Sequence, residues 1–187
     1  MKDNICYSGG AKGADLLFGE CAEKAGHDVI HWTFGNRKGT HILTQNDLNF
    51  ADNYLIKANE TLKRTFPTEK EYINNLLRRN WFQIILSERI YAVTPLNENF
   101  IPYGGTAWAI VMGMNKGVKE IYVFDYAQDK WFFYNGYTWN EITLQDIPKP
   151  HGHYAGIGSR ELPENGQQAI KDLYNDRHST TVSGPDR

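Results

Sequence analysis

His153-Tyr154-Ala155-Gly156-Ile157-Gly158-Ser159-Arg160-Glu161-Leu162-Pro163 reads as a strand that runs into a glycine turn and then a helix. Such a unit ordinarily opens a parallel α/β sheet, yet here it lies near the C-terminus. The chain begins instead with Asn4-Ile5-Cys6-Tyr7-Ser8-Gly9-Gly10-Ala11-Lys12-Gly13-Ala14-Asp15, a second strand, glycine turn and helix. Both turns can direct bare backbone N–H groups and the positive end of a helix at an anion, which suits a phosphate. Two such turns at opposite ends of one chain predict a shared site and a circularly permuted order of elements.

Periodicity fills in the rest. A buried strand over Ile5–Tyr7 leads to a helix over Ala14–Lys24, with Leu17, Phe18, Cys21 and Ala22 on one face, and Gly26 ends it. A strand follows over His27–Thr33, then the basic loop Gly35-Asn36-Arg37-Lys38-Gly39-Thr40, which is either a solvated turn or a cover over a phosphate. Tyr54, Leu55, Ala58 and Leu62 predict one helix over Phe50–Arg64. Thr68-Glu69-Lys70-Glu71 has the form of a capping box opening another helix. In that helix Ile73, Leu76, Leu77, Trp81, Ile84 and Ile85 form an apolar stripe. Asn74, Asn75, Arg78 and Gln83 fall off the stripe, whereas Arg79 and Asn80 lie at its border, where an arginine can reach into a cleft. A strand over Arg89–Thr94, a loop ending in Gly104-Gly105-Thr106, a helix over Ala107–Lys116 and a strand over Glu120–Phe124 complete the alternation expected of a parallel sheet. Trp131-Phe132-Phe133-Tyr134-Asn135-Gly136-Tyr137-Thr138-Trp139 is a hairpin on an Asn-Gly turn, its aromatics expected to cover one end or face of the sheet. A proline-containing linker, 146–152, leads to the strand-turn-helix unit 153–177.

The expected fold is therefore α/β: a Rossmann-like, mostly parallel sheet with helices on both faces, circularly permuted, carrying a small aromatic hairpin, all within a single domain over 1–187. The chain has 187 residues, 41% of them hydrophobic and 22% charged, which is enough for a real core. A net charge of -2 gives no general attraction to nucleic acid or anionic membrane. No apolar run approaches the roughly 20 residues that span a bilayer, and no signal-peptide pattern opens the chain. Cys6 and Cys21 read as reduced core residues, so a cytoplasmic location is expected.

Ligands of open α/β sheets sit outside the carboxyl ends of the strands, near the switch in strand order. Three glycine turns point there, which makes Ser8, Gly9, Gly10, Ala11, Gly13, Gly104, Gly105, Thr106, Gly156, Gly158 and Ser159 candidate ligand-binding residues. Arg79, Asn80 and Arg160 would supply charge and hydrogen bonds. The chain has no G-x-x-x-x-G-K-[ST] loop, no G-x-S-x-G elbow, and Leu162 where a dinucleotide fingerprint has its third glycine. His151 and His153 lack partners at ligand spacing, so neither a metal nor a cofactor is expected.

These motifs together resemble the SLOG superfamily of Rossmann-like nucleotide-binding domains. That group includes the LOG-type nucleoside-monophosphate phosphoribohydrolases annotated for long as lysine decarboxylases, the DNA-processing protein of transformation, and sensors of NAD-derived signals. The G-x-x-S-R-like turn is matched by Gly156-Ile157-Gly158-Ser159-Arg160, the S-G-G-A-x-G-A-D segment by Ser8–Asp15, and the third turn by Gly104-Gly105-Thr106. Arg79-Asn80 is similar to the family's helix-borne arginine motif. The resemblance covers most of the chain outside the hairpin. Two departures stand out. The first unit has moved to the end, by permutation, by exchange with a neighbouring subunit, or as a truncated repeat to which Thr181-Val182-Ser183-Gly184 belongs. The phosphoribohydrolase glutamate three residues after the third-turn threonine is replaced by Ala109, preceded by the bulky Trp108.

The resemblance implies a protein that binds a nucleotide or a nucleotide-derived molecule, including NAD-derived or cyclic signals, as a sensor or sequestering protein. A nucleotide N-glycosidic hydrolase or transferase is the alternative, with Asp15 and Glu161 as candidate catalytic carboxylates; an interaction domain with a vestigial pocket is a third. The expected partners are a small-molecule nucleotide and further copies of the chain, not a membrane or nucleic acid.

Overall fold

The computed structural model of the protein describes residues 3–176. The repeat-like Thr181–Gly184 stretch lies outside the described residues. In chain order the elements are β1 (Ile5–Ser8), α1 (Ala14–Lys24), β2 (Asp28–Phe34), β3 (His41–Leu43), α2 (Gln45–Phe50), α3 (Asp52–Leu62), α4 (Glu71–Ile84), β4 (Arg89–Val93), α5 (Thr106–Lys116), β5 (Glu120–Asp125), β6 (Lys130–Tyr134), β7 (Trp139–Ile142), β8 (His153–Gly158) and α6 (Glu164–Tyr174).

One eight-stranded sheet has the order β3-β2-β1-β8-β4-β5-β6-β7. The six strands from β3 to β5 in that order run parallel, and β6 and β7 add an antiparallel edge. The late strand β8 therefore sits in the middle, pairing Cys6 with Tyr154 on one side and Ala92 with Ile157 on the other. Alternate residues feed the two faces. Ile90, Ala92, Ala155, Ile157, Ile121 and Val123 join one core cluster. Cys6, Tyr91, Val93, Tyr122, Phe124 and Tyr154 join the other, under α1 and α6. Strands apolar on both faces are what a covered parallel sheet demands. The architecture is Rossmann-like, and no described helix is long and apolar enough to cross a membrane.

Three expectations are corrected. The helix expected over Phe50–Arg64 is α3, running Asp52–Leu62, and an unexpected helix, α2, precedes it and meets it at Ala51. α2 begins at a reciprocal capping box between Thr44 and Asp47, preceded by the unanticipated edge strand β3. The capping box at Thr68–Glu71 does not form: Thr68 N–H and Oγ both donate to the Asn74 carboxamide oxygen, and α4 begins at Glu71 without a side-chain cap. The aromatic hairpin, which ends at Ile142 rather than Trp139, extends the sheet beyond β5 instead of covering it. Its Trp131 and Phe132 are still buried, one on each face.

α4 is also buried nearly all round. It lies between the sheet and α3, with Tyr54 stacked on Trp81 at 3.7 Å between ring centroids. Asn74, Asn75, Arg78, Arg79, Asn80 and Gln83 are all buried. A stripe of apolar residues marks only part of the buried surface. Leu77 and Trp81 pack on α3, while the polar residues are buried by their bonds: Arg78 to Asp52, Asn75 to Gln45, Asn80 to Gly105, and Arg79 and Gln83 into the turn that holds Asp15.

Close approach explains one glycine above the others. Gly13 has φ 99°, and a Cβ there would run into the backbone carbonyls of Ser159 and Arg160. Gly26 has φ 82° with open space around it. Gly26→Ala should cost only the positive-φ penalty, about 1 kcal/mol, whereas Gly13→Ala adds overpacking and should cost about 2–4 kcal/mol. Urea unfolding of the two variants measures the difference; equal losses would deny the tight packing of the two turns.

Candidate functional site

A single buried carboxylate joins the two ends of the chain. Asp15, at the start of α1, accepts hydrogen bonds through Oδ2 from the Gly9 N–H at 3.2 Å and from Gln83 Nε2 at 3.0 Å. Its Oδ1 accepts from the Gly158 N–H at 3.1 Å. The Ala14 N–H donates to the Ser159 carbonyl at 3.0 Å, and Ser8 Oγ to the Asp15 carbonyl at 2.7 Å. The turn after β1 and the turn after β8 are thereby tied together, although 143 residues separate Asp15 from Gly158.

Arg79 enters this knot from α4. Its guanidinium lies against Gly9, where any Cβ would overlap it. Nη1 donates to the Gly9 carbonyl at 2.8 Å, Nη2 stands 3.7 Å from Asp15 Oδ2, and the buried Nε has no hydrogen-bond partner. Burial pushes the Asp15 carboxyl above the ordinary range, against the Arg79 charge and the three N–H donors. Burial likewise pulls Arg79 below its ordinary value, opposed by Asp15 and reinforced by Arg37 and Arg160. Asp15 is well supplied with donors, while Arg79 is under-supplied with acceptors.

The third turn is held from behind. Arg64 Nη1 donates to the Gly104 carbonyl at 2.7 Å, Arg64 Nη2 to the Pro102 carbonyl at 2.9 Å, and Asn80 Nδ2 to the Gly105 carbonyl at 3.1 Å. The Trp108 N–H is taken by the Gly105 carbonyl at 3.1 Å, so the Thr106 and Ala107 N–H groups that open α5 are the ones left for a ligand.

The three turns surround a cleft of about 460 Å³ at the carboxyl ends of β1, β8 and β4, where the strand order reverses. Its polar lining is Asp15, Arg79, Asn80, Gln83, Thr106, Ser159, Arg160 and Glu161; its apolar lining is Ile73, Leu76, Leu77, Pro95, Ala109 and Ile157, with Tyr103 and Tyr126. Gly104, Gly105, Gly158 and Ala11 also line it. Ser8, Gly9, Gly10, Gly13 and Gly156 do not. The Gly9 N–H is engaged by Asp15, the Gly10 N–H by Ser8 Oγ at 3.2 Å, and Gly156 lies against the Phe18 ring. These residues build the frame beneath the cleft. The Ser159 hydroxyl is taken up as well, donating to Thr94 Oγ1 at 3.2 Å.

Ala109 occupies the cleft wall at the place where the resemblance would put a glutamate. Trp108 points elsewhere, packing near Phe66 in the helical layer at 5.7 Å between ring centroids. Of the two carboxylates singled out by sequence, Asp15 is saturated with donors and Glu161 is exposed on the cleft rim. His153 Nδ1 pairs with the Tyr7 hydroxyl at 2.8 Å and His151 Nδ1 with the Lys149 carbonyl at 2.8 Å, and among the described residues no three His, Cys, Asp or Glu side chains gather as a metal site. Sequence reasoning did not reach Gln83, Arg64, Tyr103 or Tyr126. Only the position of Gln83, four residues after Arg79 and so one helical turn along the same face, carried a signal.

No family model, curated protein or solved structure matches this chain. Its likeness to known proteins is thus one of architecture, that of nucleotide-binding Rossmann-like sheets.

His31, on β2 opposite Ser8, packs its ring 3.1–3.2 Å from where a Gly10 Cβ would be and leaves a buried Nδ1 without a partner. Burial lowers its pKa from 6.5, with Asp15 opposing. The unfolded chain therefore binds the proton more readily. The stability due to neutral His31 is fully present above pH 6.5 and is lost as pH falls through the lower folded value. Urea midpoints should fall on acidification below pH 6.5, and His31→Gln should flatten that slope; an unchanged slope would place the titration elsewhere.

Proposed function

We propose that the protein is a circularly permuted member of the SLOG group that holds a phosphate-bearing nucleotide, or a molecule derived from one, in this cleft as a sensor or sequestering protein. The observation that carries this reading is Arg79: a buried guanidinium on a cleft wall, bonded to one carbonyl, with a distant carboxylate and an unpartnered Nε. A charge so placed is costly unless something satisfies it, and a phosphate bound between Arg79, Arg160 and the α5 N-terminus would. The apolar lining residues of the cleft and the half-exposed Tyr103 offer the contact a base or ribose needs. Permutation is supported by β8, which takes the central place that the first strand of such a sheet would hold.

Binding without rapid turnover is the expected behaviour. Ala109 cannot take a proton or stabilise a developing positive charge, and Asp15 holds the turns together through both carboxylate oxygens. The second reading, N-glycosidic cleavage, has one observation in its favour: Glu161 is a carboxylate exposed on the cleft rim.

Incubation with nucleoside monophosphates, NAD and cyclic nucleotides, followed by chromatography, separates the two. Intact ligand returned after heat denaturation supports the binder; release of free base that disappears in Glu161→Gln supports the hydrolase. Arg160 is exposed, so Arg160→Ala should fold normally and weaken a bound nucleoside monophosphate by roughly tenfold in calorimetry. Unchanged affinity would remove Arg160 from the site.

A further inference from the structure

The cations of this net-negative chain are not spread evenly. Lys12 stands in the turn after β1, Arg37 and Lys38 in the loop after β2, and Arg160 in the turn after β8. Because β1, β2 and β8 run parallel, all of these follow carboxyl ends and gather at one edge of the sheet. The ion pairs among the described residues involve none of these four.

Arg37 is fixed more firmly than a surface arginine needs to be. Nη1 donates to the Tyr72 hydroxyl at 2.7 Å, and its guanidinium carbon lies 5.7 Å from the centroid of the Phe34 ring, which in turn sits 5.8 Å from the Tyr72 ring. The loop itself is clamped at its far end: the His31 N–H donates to Thr40 Oγ1 and the Thr40 N–H to the His31 carbonyl, both at 3.0 Å. Tyr72 directly precedes Ile73, a residue of the cleft wall. Arg37 also lies close enough to Arg79 to help depress that guanidinium's pKa. A guanidinium held through one Nη1–H by a neutral hydroxyl, without a carboxylate, keeps its remaining N–H groups for an oxyanion.

We propose that the Arg37 loop is a second phosphoryl subsite continuous with the cleft. The ligand is then a nucleotide with more than one phosphoryl group, such as a nucleoside diphosphate or a diphosphate-linked nucleotide. This rests on the reading of the cleft as a nucleotide site: one phosphoryl group meets Arg79 and Arg160, and the next reaches Arg37 beside Tyr72.

The test is calorimetry of AMP and ADP against the parent protein, Arg37→Gln, Arg37→Lys and Lys38→Gln at two salt concentrations. The parent should bind ADP at least tenfold more tightly than AMP. Arg37→Gln should abolish that preference while leaving AMP within about twofold, Arg37→Lys should keep part of it, and Lys38→Gln should preserve it. Equal affinity of the parent for AMP and ADP overturns the subsite but leaves the nucleotide cleft standing. A preference that Lys38→Gln erodes as much as Arg37→Gln, and that salt removes, reduces the effect to general charge and also overturns the subsite. Failure of the parent to bind either nucleotide overturns both this inference and the reading beneath it. Should Arg37→Gln not fold, the parent's AMP-to-ADP ratio and the Arg37→Lys variant decide the matter.

Discussion

The Asp15 carboxylate is the constraint on which the rest of the structure depends. It receives the N–H of Gly9 from one end of the chain, the N–H of Gly158 from the other, and Gln83 from the helix between them. Removing a buried carboxylate of this kind would strand three donors and leave the Arg79 charge unopposed, which commonly costs on the order of 3–5 kcal/mol. No apolar substitute could do the same work, because hydrophobic contact has no direction and could not fix the register of two glycine turns against each other. The turns have to be glycine for a related reason: Arg79 lies on Gly9, and the Ser159 and Arg160 carbonyls press on Gly13.

This arrangement separates framework from cleft. The Ser8–Gly13 turn is largely occupied with internal bonds, so its part is to position Arg79 and the start of α1. The groups that face open space come from elsewhere: the Gly104–Thr106 turn, held by Arg64 and Asn80, and the Ser159–Glu161 segment after β8. Electrostatics follow the same division. Asp15 is over-supplied with hydrogen bonds, Arg79 is under-supplied, and the exposed cations Lys12, Lys38 and Arg160 rim the same sheet edge. A protein with a net charge of -2 thus presents a locally positive mouth.

Much of this was legible in the residues. The strand-glycine-helix units at Ile5, Arg89 and Tyr154 are local patterns, and their convergence at one crevice follows from parallel strands and short turns. The central seat of β8 could be inferred because its turn has to meet the other two. Less could be read where burial comes from tertiary layering. α4 looks amphipathic in sequence, but its polar residues meet partners distant in sequence or in loops, Asn74 at Thr68, Arg78 at Asp52 and Gln83 at Asp15, so they are interior residues that no periodicity reveals. Asp15 was legible as a candidate carboxylate but not as the pivot of the turns, because its partners Gln83 and Gly158 lie far away in sequence. Tyr103 and Tyr126 lie in loops, whose course depends on the packing of everything else.

In the proposed function a bound phosphate completes the buried Arg79 cation. A crystal structure of the protein grown with AMP or ADP tests it most directly. Phosphate oxygens are expected within hydrogen-bond distance of the Arg79 guanidinium and of the N–H groups that open α5, with Asp15 still bonded to Gly9 and Gly158. An ordered nucleotide bound elsewhere, or one in the cleft whose phosphate leaves Arg79 untouched, would contradict it.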